Sequence, residues 1–219
     1  MTEQRNGQQA QVPEGEVARF SGHLVLDFVN SVGWRADDAR RYERVTGAGQ
    51  WVRWAAAIGL WSPEQSAALL TATDTSGGDA DRARRQVAGL LSLRAVLCEV
   101  LDAHADAEPP PPDAWAALRR AVLRAREHAE LPPELPLRWQ PGTACVADLG
   151  HALALRAEEL LSGPDLPRVR VCDGPGCGAF FLDHSRSGTR RWCSSRGCGN
   201  RDRVRRHYAR SRRSARSPA

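Results

Sequence analysis

The sequence predicts a mainly α-helical protein: a multi-helical N-terminal domain followed by a small C-terminal finger that ends in a basic helix. Three observations carry this. Between Ser21 and Leu161 apolar residues recur at intervals of three and four, broken by Gly, Pro and Ser. From Arg168 the composition changes, and four of the six cysteines fall between Cys172 and Cys198. The charge is also split along the chain. Lysine is absent; residues 168–219 carry 14 arginines against three aspartates, a net of +11, while the rest carries 17 arginines against 23 acids, a net of −6. An acidic body with a basic end points to a polyanionic partner.

Composition excludes several classes. Apolar residues at 42% and charged residues at 26% are near globular averages, which excludes wholesale disorder. No apolar run approaches the 18 residues of a membrane span. Residues 1–16 are polar and lack the apolar segment of a secretory signal, so the expected location is the cytoplasm, with no membrane partner. There the cysteines read as metal ligands or reduced thiols rather than disulfides. No Ser-His-Asp order, phosphate loop or plausibly spaced carboxylate pair is present. No enzyme and no catalytic residues are expected.

The elements follow in order. Residues 1–18 are polar and expected to be disordered. Ser21–Ser31 mixes helical spacing at Val25, Phe28, Val29 and Val32 with alternation at Leu24, Leu26 and Phe28, and helix is favoured. Residues 33–47 read as charged loop. Trp51, Trp54, Ala55 and Ile58 mark a helix closed by Gly59. Ser62-Pro63-Glu64-Gln65 starts the next, with Ser as N-cap, Pro at N1 and Gln at N3. A long helix is expected over about 79–106, with Val87, Leu90, Leu91, Leu97, Val100, Leu101 and His104 on one face. After Pro109–Pro112, Trp115, Leu118, Val122 and Ala125 make another amphipathic face. Residues 137–139 suit a short extended piece, and a last body helix spans roughly 146–161. The domain boundaries are therefore 1–18 (tail), 19–164 (helical body, expected to fold alone), 168–213 (finger) and 214–219 (tail).

Cys172 and Cys177 are separated by four residues, as are Cys193 and Cys198, with fifteen residues between the pairs. A tetrahedral ion takes two sulfurs from each of two tight turns, and the glycines around each pair supply the bend. Four thiolates close the coordination sphere, so the pattern implies one structural zinc ion in a zinc-ribbon or treble-clef-like finger. A redox dithiol or plain buried cysteines do not require two matched pairs. Asn200 is a good N-cap for a helix over about 201–213, with Val204 and Tyr208 facing the zinc core. Arg190, Arg191, Arg201, Arg203, Arg205, Arg206 and Arg210 are the candidate nucleic-acid-binding residues, because guanidinium groups clamp phosphates and read guanine edges. One or two of them are alternatively placed to neutralise the thiolates.

This segment resembles the CGNR zinc-finger family, on Cys172, Cys177, Phe181, Asp183, Ser185, Arg190-Arg191-Trp192-Cys193-Ser194 and the tetrapeptide Cys198-Gly199-Asn200-Arg201. Arg203 stands where the family usually has Lys, and Ser187 where it has Asn. Leu24-Val25-Leu26-Asp27-Phe28-Val29-Asn30-Ser31 is similar to the signature of the ABATE domain that commonly precedes this finger, with Ser31 for the usual Thr. The resemblance implies a bacterial, stress-linked transcriptional regulator.

In the body, His23, Asp27 and Asn30 are a candidate small-effector site; the alternative, favoured here, is that Asp27 caps or pairs at a helix junction. His104 and His151 read as satisfied core histidines rather than a metal site with Asp27, and Cys98 and Cys145 as packing residues. The expected function is a zinc-dependent DNA-binding regulator whose helical body senses an effector or dimerises. The alternatives are an RNA-binding protein that stacks bases on Trp192, Phe180 and Phe181, or a protein–protein adaptor.

Overall fold

The computed structural model describes residues 21–73 and 78–214. The tail expected over 1–18 lies outside them, as do residues 215–219 of the C-terminal tail. Six helices make the body: α1 (Leu24–Val29), α2 (Ala48–Ala57), α3 (Pro63–Thr73), α4 (Gly78–Ala105), α5 (Pro112–Glu127) and α6 (Val146–Ser162). A seventh, α7 (Cys198–Ser214), ends the finger. Three antiparallel two-stranded ladders join them: β1 (Val32–Gly33) with β2 (Tyr42–Glu43), β3 (Ala129–Glu130) with β4 (Gln140–Pro141), and β5 (Val169–Val171) with β6 (Phe180–Leu182). A 3-10 turn at Leu166–Arg168 leads into β5.

Local signals explain most boundaries. At the end of α2, Gly59 has φ +78°, Leu60 N–H donates to the Ala55 carbonyl and Gly59 N–H to that of Ala56, both at 3.0 Å. These are the two bonds that satisfy orphan carbonyls in a Schellman ending. At the start of α3, Gln65 N–H donates to Ser62 Oγ (3.2 Å) and Ser62 N–H to Gln65 Oε1 (2.7 Å), a reciprocal capping box. α6 starts in the same way, with Ala144 and Cys145 N–H on the Asp148 carboxylate.

The long helix α4 is the centre. α5 and α6 pack on it and on each other, and α1, α2 and α3 close the remaining side. Its buried face is Val87, Leu90, Leu93, Leu97, Val100 and Leu101; Leu91, expected inside, is only half-buried, and Leu93 takes its place. Phe28, Trp51 and Trp54 form an edge-on aromatic trio with centroids 5.5–6.1 Å apart. Leu118 and Ala125 of the face expected on α5 are buried and Val122 is half-buried, but Trp115 is 52% exposed and Ala114 is buried in its place. The extended piece expected at 137–139 falls at β4, one residue further on. Within 33–47, read as loop, the β1–β2 ladder forms, and buried Arg94 of α4 fastens it: its guanidinium donates to both Glu43 carboxylate oxygens (2.6 Å each) and to Ser31 Oγ (2.8 Å).

The finger does not stand apart. Val169, Phe180 and Leu182 of the β5–β6 ladder belong to the same apolar core as α1, α2, α4 and α6. The side-chain amide of Asn30, just past α1, pairs with the Phe180 backbone as a strand neighbour would: Nδ2–H donates to the carbonyl (2.7 Å), and Phe180 N–H donates to Oδ1 (2.9 Å). Leu182 N–H donates to the Ser21 carbonyl at 2.7 Å. The expectation that the body folds alone meets a physical obstacle here, because a chain ending at Pro164 lacks Val169, Phe180 and Leu182 of the shared core and leaves the Asn30 amide without its backbone partner.

Two outcomes follow. Asn30→Ala should lose about 2–4 kcal/mol in denaturant unfolding, two buried backbone groups being left unpaired. Asn30→Asp should be no better despite its shape, since a carboxylate cannot donate to the Phe180 carbonyl. A chain truncated at Pro164 should melt earlier and over a broader range than the full chain by circular dichroism; a full-length-like melt would show that the ladder adds nothing to the core.

Candidate metal centre

The β5–β6 ladder and the start of α7 position four sulfurs. Cys172 directly follows β5 and Cys177 lies three residues before β6, so the turn joining the two strands carries the first pair. Cys193 lies in the following loop, and Cys198 is the first residue of α7. A turn between paired strands meeting a helix N-terminus is the treble-clef version of the expected finger. All four Sγ atoms lie within 4.8 Å of one another, and theirs is the only metal-competent group of His, Cys, Asp or Glu among the described residues. Cys177–Cys193 and Cys193–Cys198 are 3.8 and 3.7 Å apart. A tetrahedron with metal–sulfur bonds of about 2.3 Å has edges of about 3.8 Å. The donor set therefore fits zinc, and Cys172, Cys177, Cys193 and Cys198 hold one structural zinc ion. His184, exposed beyond β6, is not part of the group.

Sulfurs this close cannot all ionise without a cation. Proton sharing with Cys172 and the other thiols pulls Cys198 far down, with Arg201 adding to the effect, while Cys177 and Cys193 are pushed far up. Hydrogen bonding from Cys177 brings Cys172 to about 7. Zinc removes this conflict by taking all four as thiolates. The excess negative charge is met by donors: Gly174 N–H (3.4 Å) and Cys193 N–H (3.3 Å) to Cys172 Sγ, and the Arg201 guanidinium to Cys198 Sγ (2.9 Å).

The turn is made by glycine for lack of room. A Cβ on Gly174 would stand 2.9 Å from Cys198 Sγ. Gly176 has φ +73°, and a Cβ there would meet Asp37 and Arg40 at 2.5–2.9 Å. The second contact exposes what sequence reasoning missed. The 34–40 segment of the body, read as charged loop, clamps the first cysteine turn. Arg35 N–H donates to the Cys177 carbonyl (3.1 Å), its Nε–H to that of Gly178 (2.9 Å), and Arg40 donates to that of Pro175 (3.1 Å). The Trp34 ring is held between the Arg40 and Arg201 guanidiniums, at 4.0 and 4.7 Å. Only the run of arginines beside one tryptophan hinted at this in the sequence.

The candidate nucleic-acid residues divide. Arg190 is a brace: its three nitrogens donate to the Trp192, Leu182 and Cys193 carbonyls, and its plane lies over Phe181. Buried Asp183 gathers the loop leading to it, accepting from Ser185 N–H, Ser185 Oγ–H and Arg190 N–H; the Ser185 hydroxyl bond is the largest cause of its lowered pKa. Arg191 pairs with Asp173 at 2.7 Å, and Arg203 donates to the Ser195 carbonyl. Arg205 and Arg206 both pair with Asp202, each at 2.8 Å. Two expectations are corrected. Asn200 lies inside α7 rather than capping it, because the helix starts at the ligand Cys198. Val204 and Tyr208 do not face the zinc core; they are 46% and 65% exposed.

The candidate effector residues are engaged in structure. His23 caps α1, its Nδ1 accepting from Val25 N–H at 3.2 Å, and burial lowers its pKa. Asp27 accepts from Ser21 N–H, and Asn30 holds Phe180. His104 bonds the Leu166 carbonyl, and His104, His151 and Asp27 do not converge. Cys98 is held at about 11 by burial, as a packing thiol should be.

Elemental analysis of the purified chain should find one zinc per chain, and Cys193→Ser should leave under about a tenth of that. Gly174→Ala should weaken zinc by about tenfold or more in competition with a chromophoric chelator, because its methyl group displaces Cys198 Sγ.

Two family models match. Residues 168–211 match the CGNR zinc finger. Residues 22–164 match ABATE, described as "Putative stress-induced transcription regulator". A search of curated proteins gives no match. The ABATE match spans well over half the chain and the finger follows it directly, so the chain belongs to the ABATE family and ends in a CGNR zinc finger.

Proposed function

We propose that the chain is a DNA-binding transcription regulator that docks α7 on the duplex. The observation that carries this is the exposure of α7. From Arg203 to Ser211 every side chain is exposed, and the helix leads away from the metal centre with arginine as its dominant residue. Seventeen residues give a rod of about 25 Å, long enough to lie in a major groove about 12 Å wide. Arg203, Arg205, Arg206 and Arg210 supply the phosphate contacts, and exposed Val204 and Tyr208 supply apolar contact to base edges. Arg190 and Arg201 act from behind, as braces of the finger. The description of the ABATE family supports the regulator reading.

RNA stacking is less well supported. Phe180 and Phe181 are fully buried in the ladder, and Trp192 is half-buried with Arg191 over its ring at 4.9 Å.

Binding to duplex DNA should depend strongly on salt, with a slope of log K against log salt of about −3.5 to −4.5 if four or five arginines touch phosphate. Arg205→Gln with Arg206→Gln should flatten it by roughly two. Asp202→Asn should tighten binding, because it frees both guanidiniums and removes a negative charge. Fluorescence anisotropy with labelled duplex and single-stranded RNA checks all three. Affinity unchanged between about 50 and 200 mM salt would remove the phosphate clamp and favour the adaptor reading.

A further inference from the structure

A cavity of about 350 Å³ lies between α4, α5 and α6, away from the finger. That is within the range of small-molecule sites. Its floor is apolar, with buried Leu90 and Leu93 of α4 beside the small side chains of Ala121 and Ala147. Its rim carries the exposed guanidiniums of Arg82, Arg85 and Arg124. Among the described residues none of the three takes part in an ion pair, although Arg84, beside them on α4, pairs with Asp81.

Two glycines open the space. Gly89 of α4 and Gly150 of α6 both line the cavity from mid-helix positions, where glycine is the poorest residue short of proline. Close packing does not demand either. A Cβ on Gly89 would meet nothing within 4 Å, and one on Gly150 would make ordinary contact with Leu90 at 3.5 Å. Neither has a positive φ. Each costs helix stability and returns only volume. His151 also lines the cavity; burial, then His128 beside it, lowers its pKa, so near neutral pH the arginines carry the positive charge.

We propose that this cavity binds a small organic acid, with one anionic head group on the Arg82, Arg85 and Arg124 guanidiniums and an apolar body over Leu90 and Leu93 between the two glycines. The arrangement selects on both counts. Unpaired guanidiniums offer charge-assisted bonds to a carboxylate, and the glycine-widened floor takes an alkyl chain or a flat ring. A role for the acid as effector rests on the regulator reading above; the binding itself does not.

The test is isothermal titration of the zinc-loaded full chain with octanoate and, separately, 2-naphthoate, against octanol and octylamine. The expected result is saturable one-to-one binding of at least one acid with Kd below about 1 mM, and at least tenfold weaker binding of octanol and octylamine. Arg85→Gln with Arg124→Gln should weaken the acid by about tenfold to a hundredfold and leave the melting temperature unchanged. Gly89→Leu should abolish binding by filling the floor. If Gly89→Leu fails to fold, the arginine pair, on exposed side chains, decides alone. No saturable binding of either acid, octanol binding as tightly as octanoate, or an unchanged Kd in the arginine pair overturns the site. Duplex binding is measured on the same samples. Acid binding without duplex binding upholds the site and removes the regulator reading; duplex binding without acid binding does the reverse.

Discussion

The guanidinium of Arg35 joins the two halves of the molecule, and much of the rest depends on it. It meets both carboxylate oxygens of Asp102 on α4 at 2.5 and 2.8 Å, donates to the Gly178 carbonyl behind the first cysteine turn, and lies over the Phe180 ring at 4.3 Å. Its side chain is only 14% exposed. Few residue types can do all of this at once. A planar, permanently charged fork with an apolar face satisfies a carboxylate, a carbonyl and an aromatic ring together, and lysine cannot. The central helix of the body and the metal turn are thereby held in one register.

The same chemistry explains why arginine is spent so unevenly in the finger. Arg190 and Arg201 lie against carbonyls, a sulfur and aromatic faces, where they offset the charge of a four-thiolate centre and replace an apolar core that some forty residues cannot supply. Further along α7, Arg203 donates to the Ser195 carbonyl and Arg205 and Arg206 pair with Asp202, yet all three side chains remain exposed. One residue type thus serves as mortar near the metal and as a charged surface beyond it, and the change occurs within the first turn of α7.

Local physics made most of the fold legible in the sequence. The Ser62–Gln65 cap, the Gly59 stop, the periodicity of α4 and α6 and the paired cysteine spacing act over a few residues, and each appears where the sequence places it. What was not legible acts over long separations. Asn30 and Phe180 are 150 residues apart, and no pattern around Asn30 says that its amide completes a ladder. The clamp at 34–40 looked like loop because its side chains face a partner that arrives from the far end of the chain. Val204 and Tyr208 have the spacing of a buried pair, but the helix that carries them has nothing to lie on. Trp115 is a narrower miss: Leu118 and Ala125 of its face are buried, but a periodic pattern does not say where the core stops along the helix, and Trp115 in the first turn of α5 lies outside it.

Cys198 is both the last ligand and the first residue of α7, and this makes the metal a nucleus for helix formation. Starting a helix is the unfavourable step, because several residues must be fixed before the first bond is gained. In α7 that step is taken by a side chain locked to three others, and a thiolate at the helix start also sits at the positive end of the peptide dipoles. From Arg203 to Ser211 the residues that follow are exposed, so apart from the Asp202 pairs they add little packing to hold the helix. The rod is therefore anchored at its base, where an ion held by the four sulfurs would fix the turn from which the helix extends.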